Sequence, residues 1–215
     1  MRLLAGLRDA DRSLSKQAAS RIPPRAGKVL SAVEEAAASG KLWCGAAAAM
    51  TWLGGWRGRT TAVTGMAALA VAQLISNGLC KQPADRPRPP KEWFPHDEAD
   101  DRPSSFPSGH TAAAVAFTAT VAATGPAAGA ACALPAVMVA LERVQSGAHY
   151  PTDVAAGAAI GLASAWLTRH APVWSFATSS SGRDRPGATG ETYGAPNDDV
   201  TKRLAAQAQG RGDGT

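Results

Sequence analysis

The chain has 215 residues, 48 of them alanine and only 18% charged, which leaves room for one domain of ordinary size. Its mean hydropathy of −0.12 hides a segregated pattern. Residues 60–80 and 103–141 contain no Asp, Glu, Lys or Arg, whereas a soluble helix normally wets one face with charge. Three cysteines without paired spacing exclude a disulfide-stapled secreted domain. A formal charge of +5, with no basic run interleaved with aromatics, gives no basis for a nucleic-acid partner.

Taken in chain order, residues 2–20 read as a short interfacial helix with Leu3, Leu4, Leu7 and Leu14 near one face. Arg8 and Asp9 interrupt its apolar stretch too early for a signal peptide. Pro23-Pro24 ends it, and residues 28–39 read as a second, polar helix stopped at Gly40. The first spanning candidate is 42–56, with Trp43, Trp52 and Trp56 as interfacial anchors. It falls short of the roughly 20 residues a span needs, so Lys41 or Arg57 would have to snorkel. Residues 60–80 are long enough unaided, and further spans are expected over 109–124, 127–141 and 151–169, with Gly125-Pro126 as a turn. Gly157, Gly161 and Ala165 repeat at i, i+4 and i+8, a small-residue stripe suited to close helix packing. The expected fold is therefore all-α: an integral membrane helical bundle of about five spanning helices plus an N-terminal interfacial helix. Residues 1–40 form an amphipathic arm, 41–170 the embedded domain, and 171–215 a polar, mostly disordered tail.

Polar residues cluster where these helices end. The first cluster holds Lys81, Arg88 and Pro89, the second is Pro107-Ser108-Gly109-His110, and the third holds Arg143, His149 and Asp153. Alternating passes would bring all three to one side of the membrane. Three cations, Lys81, Arg88 and Arg143, could neutralise the equatorial oxygens of a phosphoryl group. His110 falls in the first turn of a helix that begins around Ser108, where backbone N–H groups favour an anion. His149 and Asp153 are four apart, so in a helix the carboxylate could fix the imidazole tautomer. One histidine could then attack phosphorus while the other protonates the leaving oxygen. The acidic run at Asp97, Glu98, Asp100 and Asp101 lacks histidine at metal-ligand spacing and reads as a solvated loop, so no metal or other cofactor is expected.

The three clusters resemble the signature of the type 2 phosphatidic-acid phosphatase superfamily, which includes bacterial acid phosphatases and vanadium haloperoxidases. Its first motif, Lys, six residues, Arg-Pro, matches Lys81 and Arg88-Pro89; its second matches residues 107–110. Its third, Ser-Arg, five residues, His, three residues, Asp, matches Arg143, His149 and Asp153, with Glu142 at the usual serine position. By that resemblance His149 would be the nucleophile forming a phosphohistidine, Asp153 its orienting group, and His110 the acid. Lys81, Arg88 and Arg143 would bind the phosphoryl oxygens, assisted by Ser108 and the Gly109 amide. The implied activity is a metal-independent lipid-phosphate phosphatase acting on phosphatidate, phosphatidylglycerol phosphate, or polyprenyl phosphates and diphosphates. Its partners would be that substrate and the bilayer; nothing in the sequence specifies an oligomeric state. Trp93 and Phe94 fall near the expected substrate entrance. Two alternatives are a vanadate-dependent haloperoxidase, whose relatives are larger and soluble, and a non-catalytic membrane assembly protein. The resemblance implies a multi-pass protein of the cell membrane. Many members of the superfamily act on the extracytoplasmic side, whereas the excess of Lys/Arg over 1–41 and 81–105 points to a cytoplasmic site by the positive-inside rule.

Overall fold

Among the described residues seven α-helices follow one another: α1 (Arg2–Arg21), α2 (Pro24–Ala38), α3 (Lys41–Leu53), α4 (Gly55–Gln73), α5 (Gly109–Ala122), α6 (Pro126–Gln145) and α7 (Pro151–His170). The computed structural model describes residues 2–80, 86–94 and 104–170. Lys81, the acidic run at 97–101, the tail at 171–215 and the side chains of Leu3 and Leu4 lie outside the described residues.

Glycine and proline set the boundaries. Pro24 opens α2 at a position where its missing N–H has no helical partner to lose. That start falls before the expected residue 28. Gly40, at φ 75°, turns the chain out of α2, and its N–H reaches the Ala37 carbonyl at 3.1 Å. Between α3 and α4 the break comes at Gly54, not after Trp56, so Arg57 and Arg59 belong to the start of α4. The cause is local. A Cβ on Gly58 would strike the Met50 carbonyl, and one on Gly54 would lie 2.7 Å from the Gly58 Cα. Only bare backbone lets the two helices pass so closely. Beyond Gln73 the rod continues as a π-helical segment, Leu74–Cys80. At the other long helix, α6 runs past residue 141 to Gln145 and carries Glu142 and Arg143 on its last turn.

Helix α5 forms the centre, with Ala112, Ala114, Ala116, Phe117 and Val121 wholly buried. Alanine lets the neighbouring backbones approach, and α7 exploits this through the glycine stripe. A Cβ on Gly161 would stand 2.6 Å from the Ala112 carbonyl oxygen, and one on Gly157 would strike the Ser108 carbonyl. Trp43 of α3 packs on Phe117 with ring centroids 5.2 Å apart.

The outside is apolar. Trp52, Leu53, Trp56, Leu134, Val137, Leu141, Leu162 and Trp166 are all exposed, a surface that water would not favour and a bilayer would. Two helices, Gly55–Cys80 and Pro126–Gln145, are long and apolar enough to cross a membrane. Helix α1 has the opposite pattern to a soluble amphipathic helix: Leu7 and Leu14 are exposed, while Asp11 and Ser15 are buried.

Candidate active site

Several helix ends converge on one region. The Ser108 N–H, just before α5, donates to the Asp153 carbonyl at 3.1 Å, and the His149 N–H donates to the Arg143 carbonyl at 2.9 Å. The Ser105 N–H donates to the Arg86 carbonyl at 3.0 Å. A Cβ on Gly109 would come within 2.8 Å of Asn77 Oδ1, which places the π-helical end of the α4 rod against the start of α5. The motif residues at the ends of α5, α6 and α7 are thus drawn together. Lys81 lies outside the described residues.

His149 is 4% exposed and sits in the loop between α6 and α7. Its Nδ1 lies 2.5 Å from the Ser105 carbonyl oxygen. A carbonyl can only accept, so Nδ1 carries the proton and Nε2 holds the lone pair. Burial is the main force lowering the His149 pKa, to about 3; the nearby charges of Arg143, Arg88 and His110 add to it against the opposing Ser105 hydrogen bond. The imidazole is neutral at physiological pH, with a basic nitrogen available.

This geometry corrects the pairing expected from the four-residue spacing of His149 and Asp153. Helix α7 starts only at Pro151, so the two residues do not share a helix face. Asp153 acts instead on the helix start. Its Oδ2 accepts the Tyr150 N–H at 2.8 Å, the reach-back of a third-position carboxylate to the residue that caps a helix. Its Oδ1 accepts Arg86 Nη1 at 2.5 Å. Arg86 in turn gives Nη2 to Asp11 of α1 at 2.6 Å and lies over the Tyr150 ring, 4.4 Å from its centroid. Burial alone would lower the Arg86 pKa, but Asp11 and Asp153 outweigh it and hold the group above its ordinary value. Asp11 also accepts the Thr152 N–H at 3.0 Å and the Thr152 hydroxyl at 2.6 Å. It thereby caps α7 from a helix some 140 residues earlier.

Arg143 is nearly buried. Its Nε and Nη2 donate to Glu142 Oε2 at 2.6 and 2.5 Å, and Nη2 also meets Glu34 Oε1 of α2 at 3.0 Å. Those contacts engage Nε–H and the Nη2 pair, three of the five guanidinium N–H groups, on two carboxylates. Glu142, where the motif usually has serine, therefore braces its neighbouring arginine. His110 stands in the first turn of α5 with Nδ1 3.7 Å from the same Glu34 oxygen. The Ser108 hydroxyl is buried and shared with Thr111 Oγ1 at 2.9 Å, so Ser108 holds the start of α5 in shape. Gly109 and His110 open α5, and backbone N–H groups in the first turn of a helix point outward from its start.

Phe94 is buried against Gly147, where a Cβ would lie 2.5 Å from the ring; Gly147 adopts φ 70° in the loop leading to His149. Trp93 is half-buried beneath Lys16, whose Nζ is 4.6 Å from the ring centroid. Both aromatics, expected near an entrance, make packing contacts in the structure. Sequence reasoning missed Asp11, Glu34, Arg86, Ser105 and Thr152. A signal existed for the first two: each is an acid on the face of its helix that turns inward, Asp11 beside Ser15 and Glu34 between Leu30 and Ala37.

A family model described as the PAP2 superfamily matches residues 61–177, more than half of the chain. The protein belongs to the PAP2 superfamily. Its fold is shared by a transmembrane PAP2-type phosphatidylglycerolphosphate phosphatase of Bacillus subtilis, with a TM-score of 0.58 and 22% identity over 84% of this chain and 89% of that one. It is also shared by LpxE of Aquifex aeolicus, with a TM-score of 0.54 and 20% identity over 73% and 93%. No curated protein sequence matches significantly. With two apolar helices of spanning length in this fold, the PAP2 protein is an integral, multi-pass membrane protein. The matched stretch begins within α4, so α1, α2 and α3 precede it.

Proposed function

We propose that this PAP2 protein is a metal-independent phosphatase of membrane lipid phosphates, working through a phosphohistidine on His149. The observation that carries the reading is the neutral His149, its Nδ1–H tied to the Ser105 carbonyl, beside Arg143, Arg88 and His110. The Nε2 lone pair forms a bond to phosphorus as the bond to the leaving oxygen breaks, and His110 gives that oxygen its proton. Water then attacks phosphorus, returns a proton to His110, and the N–P bond breaks to release phosphate. Arg88 and Arg143, joined by Lys81 on the strength of the motif, neutralise the charge that gathers on the equatorial oxygens. Asp153 contributes by holding the start of α7, which fixes the loop that carries His149.

Five crossings, α3 to α7, agree with the apolar exterior and bring the motif-bearing helix ends to one membrane face. The chemistry suits a phosphate on a lipid lying in that face: phosphatidate, phosphatidylglycerol phosphate or a polyprenyl phosphate or diphosphate. The similarity to a phosphatidylglycerolphosphate phosphatase makes that lipid the first to assay. Rapid quench of the purified protein with a labelled lipid phosphate should trap acid-labile protein phosphate, and H149A should trap none and release no phosphate. Normal turnover by H149A would refute the nucleophile assignment.

A further inference from the structure

Helix α2 precedes the stretch matched to the superfamily, yet one of its side chains enters the catalytic end. Glu34 Oε1 lies 3.0 Å from Arg143 Nη2 and 3.7 Å from His110 Nδ1. The Glu34 side chain is 12% exposed. Gly27, Leu30 and Ala37 are the buried residues of α2, and Glu34 falls on their face at helical spacing, where an apolar residue would be the ordinary choice. A carboxylate there loses hydration and needs charged partners in return. Both of its partners are groups that the proposed reaction uses.

We propose that Glu34 is a positioning residue for the acid step: it pairs with His110 Nδ1–H, holds the ring as imidazolium, and directs Nε2–H to the leaving oxygen. The same oxygen braces Arg143 so that its Nη1 edge turns to the phosphoryl group. This inference rests on the phosphatase reading. Among the described residues, Glu34 from α2 faces His110 and Arg143 from α6 shares the same Glu34 oxygen; Glu142 from α6 engages Arg143, and His149, in the loop after α6, is acted on by His110, Arg143 and Arg88. Arg143, held on the same Glu34 oxygen, opposes a positive charge on His110, and Glu34 counters it. The acid step requires His110 to be protonated in the free enzyme, so a carboxylate at Nδ1 extends activity to higher pH.

The test uses the full-length protein in phospholipid–detergent micelles, with phosphatidate and an activated aryl phosphate as substrates. E34Q keeps the shape and removes the charge. Its alkaline limb of kcat/KM for phosphatidate should move down by about one pH unit or more, the usual effect of losing an opposite charge at this range. At pH 8 phosphatidate hydrolysis should fall about tenfold or more, with a smaller fall on the aryl phosphate, whose leaving oxygen needs less protonation. E34D, which retains the charge, should keep most of the limb, and it carries the test alone if E34Q does not assemble. An unmoved limb in E34Q with equal losses on both substrates would overturn the inference, as would a loss of the limb in E34D. A parent protein that hydrolyses neither substrate would overturn the phosphatase reading, and this inference with it.

Discussion

Acidification should destabilise the folded protein through His149, and the size of the effect follows from the geometry. Burial, helped by the charges of Arg143, Arg88 and His110, holds the folded-state pKa at about 3, whereas an unfolded histidine titrates near 6.5. Between those values the unfolded chain binds a proton that the folded one refuses. Stability from this group is therefore complete above about pH 6.5 and is lost below it, at about 1.4 kcal/mol per pH unit, until about pH 3. At pH 4.5 the loss is about 2–3 kcal/mol. That figure is set by the distance below 6.5 and hardly changes if the folded value lies lower still. H149N supplies the reference, since its amide can still donate to the Ser105 carbonyl but has no proton to gain. Reversible unfolding by SDS in mixed micelles, at pH 7.5 and 4.5, should show the parent losing about 2–3 kcal/mol more than H149N. Titrations of the carboxylates common to both proteins largely cancel in that difference. Parallel losses would mean that the imidazole is solvated or charged in the fold. The lone pair assigned to Nε2 would then have no support.

Two substitutions test the packing around the site. Gly161→Ala places a Cβ 2.6 Å from the Ala112 carbonyl oxygen and 2.8 Å from Val115 Cβ, so it should lower stability by about 1–3 kcal/mol; Gly45→Ala, with nothing within 4 Å of the new atom, should lower it not at all in the same SDS titration. Asp11→Ala removes the acceptor shared by Arg86, the Thr152 N–H and the Thr152 hydroxyl; it should cost about 1–3 kcal/mol and expose α1 to trypsin at Arg8 and Arg12, while unchanged proteolysis would show that α1 is held by other contacts.

What could be read in advance divides along physical lines. The charge-free runs 60–80 and 103–141 marked most of α4, α5 and α6, because helices that face lipid or a packed centre need no charged face, and Pro151 marked the start of α7. The motif residues were legible because they follow the pattern of the superfamily to which the chain belongs. Ser105 was not: it holds His149 through a backbone carbonyl, which every residue carries, and its hydroxyl reaches Asp153 from a distant part of the sequence. Arg86 and Thr152 find their partner in Asp11, far away in sequence, and no local spacing announces it. The error over His149 and Asp153 had a visible warning. Pro151 is a natural first residue of a helix, and the residue before a proline is biased away from helical angles. An i, i+4 face starting at His149 was therefore disfavoured from the outset.

The same tertiary contacts bear on why helices outside the matched stretch belong to this site at all. Two arginines at the catalytic end each stand between two carboxylates: Arg143 between Glu142 and Glu34, and Arg86 between Asp153 and Asp11. In each pair one acid comes from the motif-bearing helices and the other from α1 or α2. A guanidinium withdrawn from water loses hydration at all five of its N–H groups, and one carboxylate cannot engage them all. The N-terminal helices supply the second anion, so the substrate-free site can fold with its cations already in place. Glu142 strengthens that arrangement from within α6. In the reaction proposed above, an incoming phosphoryl group would meet an Arg143 whose Nε and Nη2 are already engaged. Its oxygens would then meet a fixed donor direction rather than a mobile cation, and directed charge of this kind is what stabilises a transition state beyond the ground state.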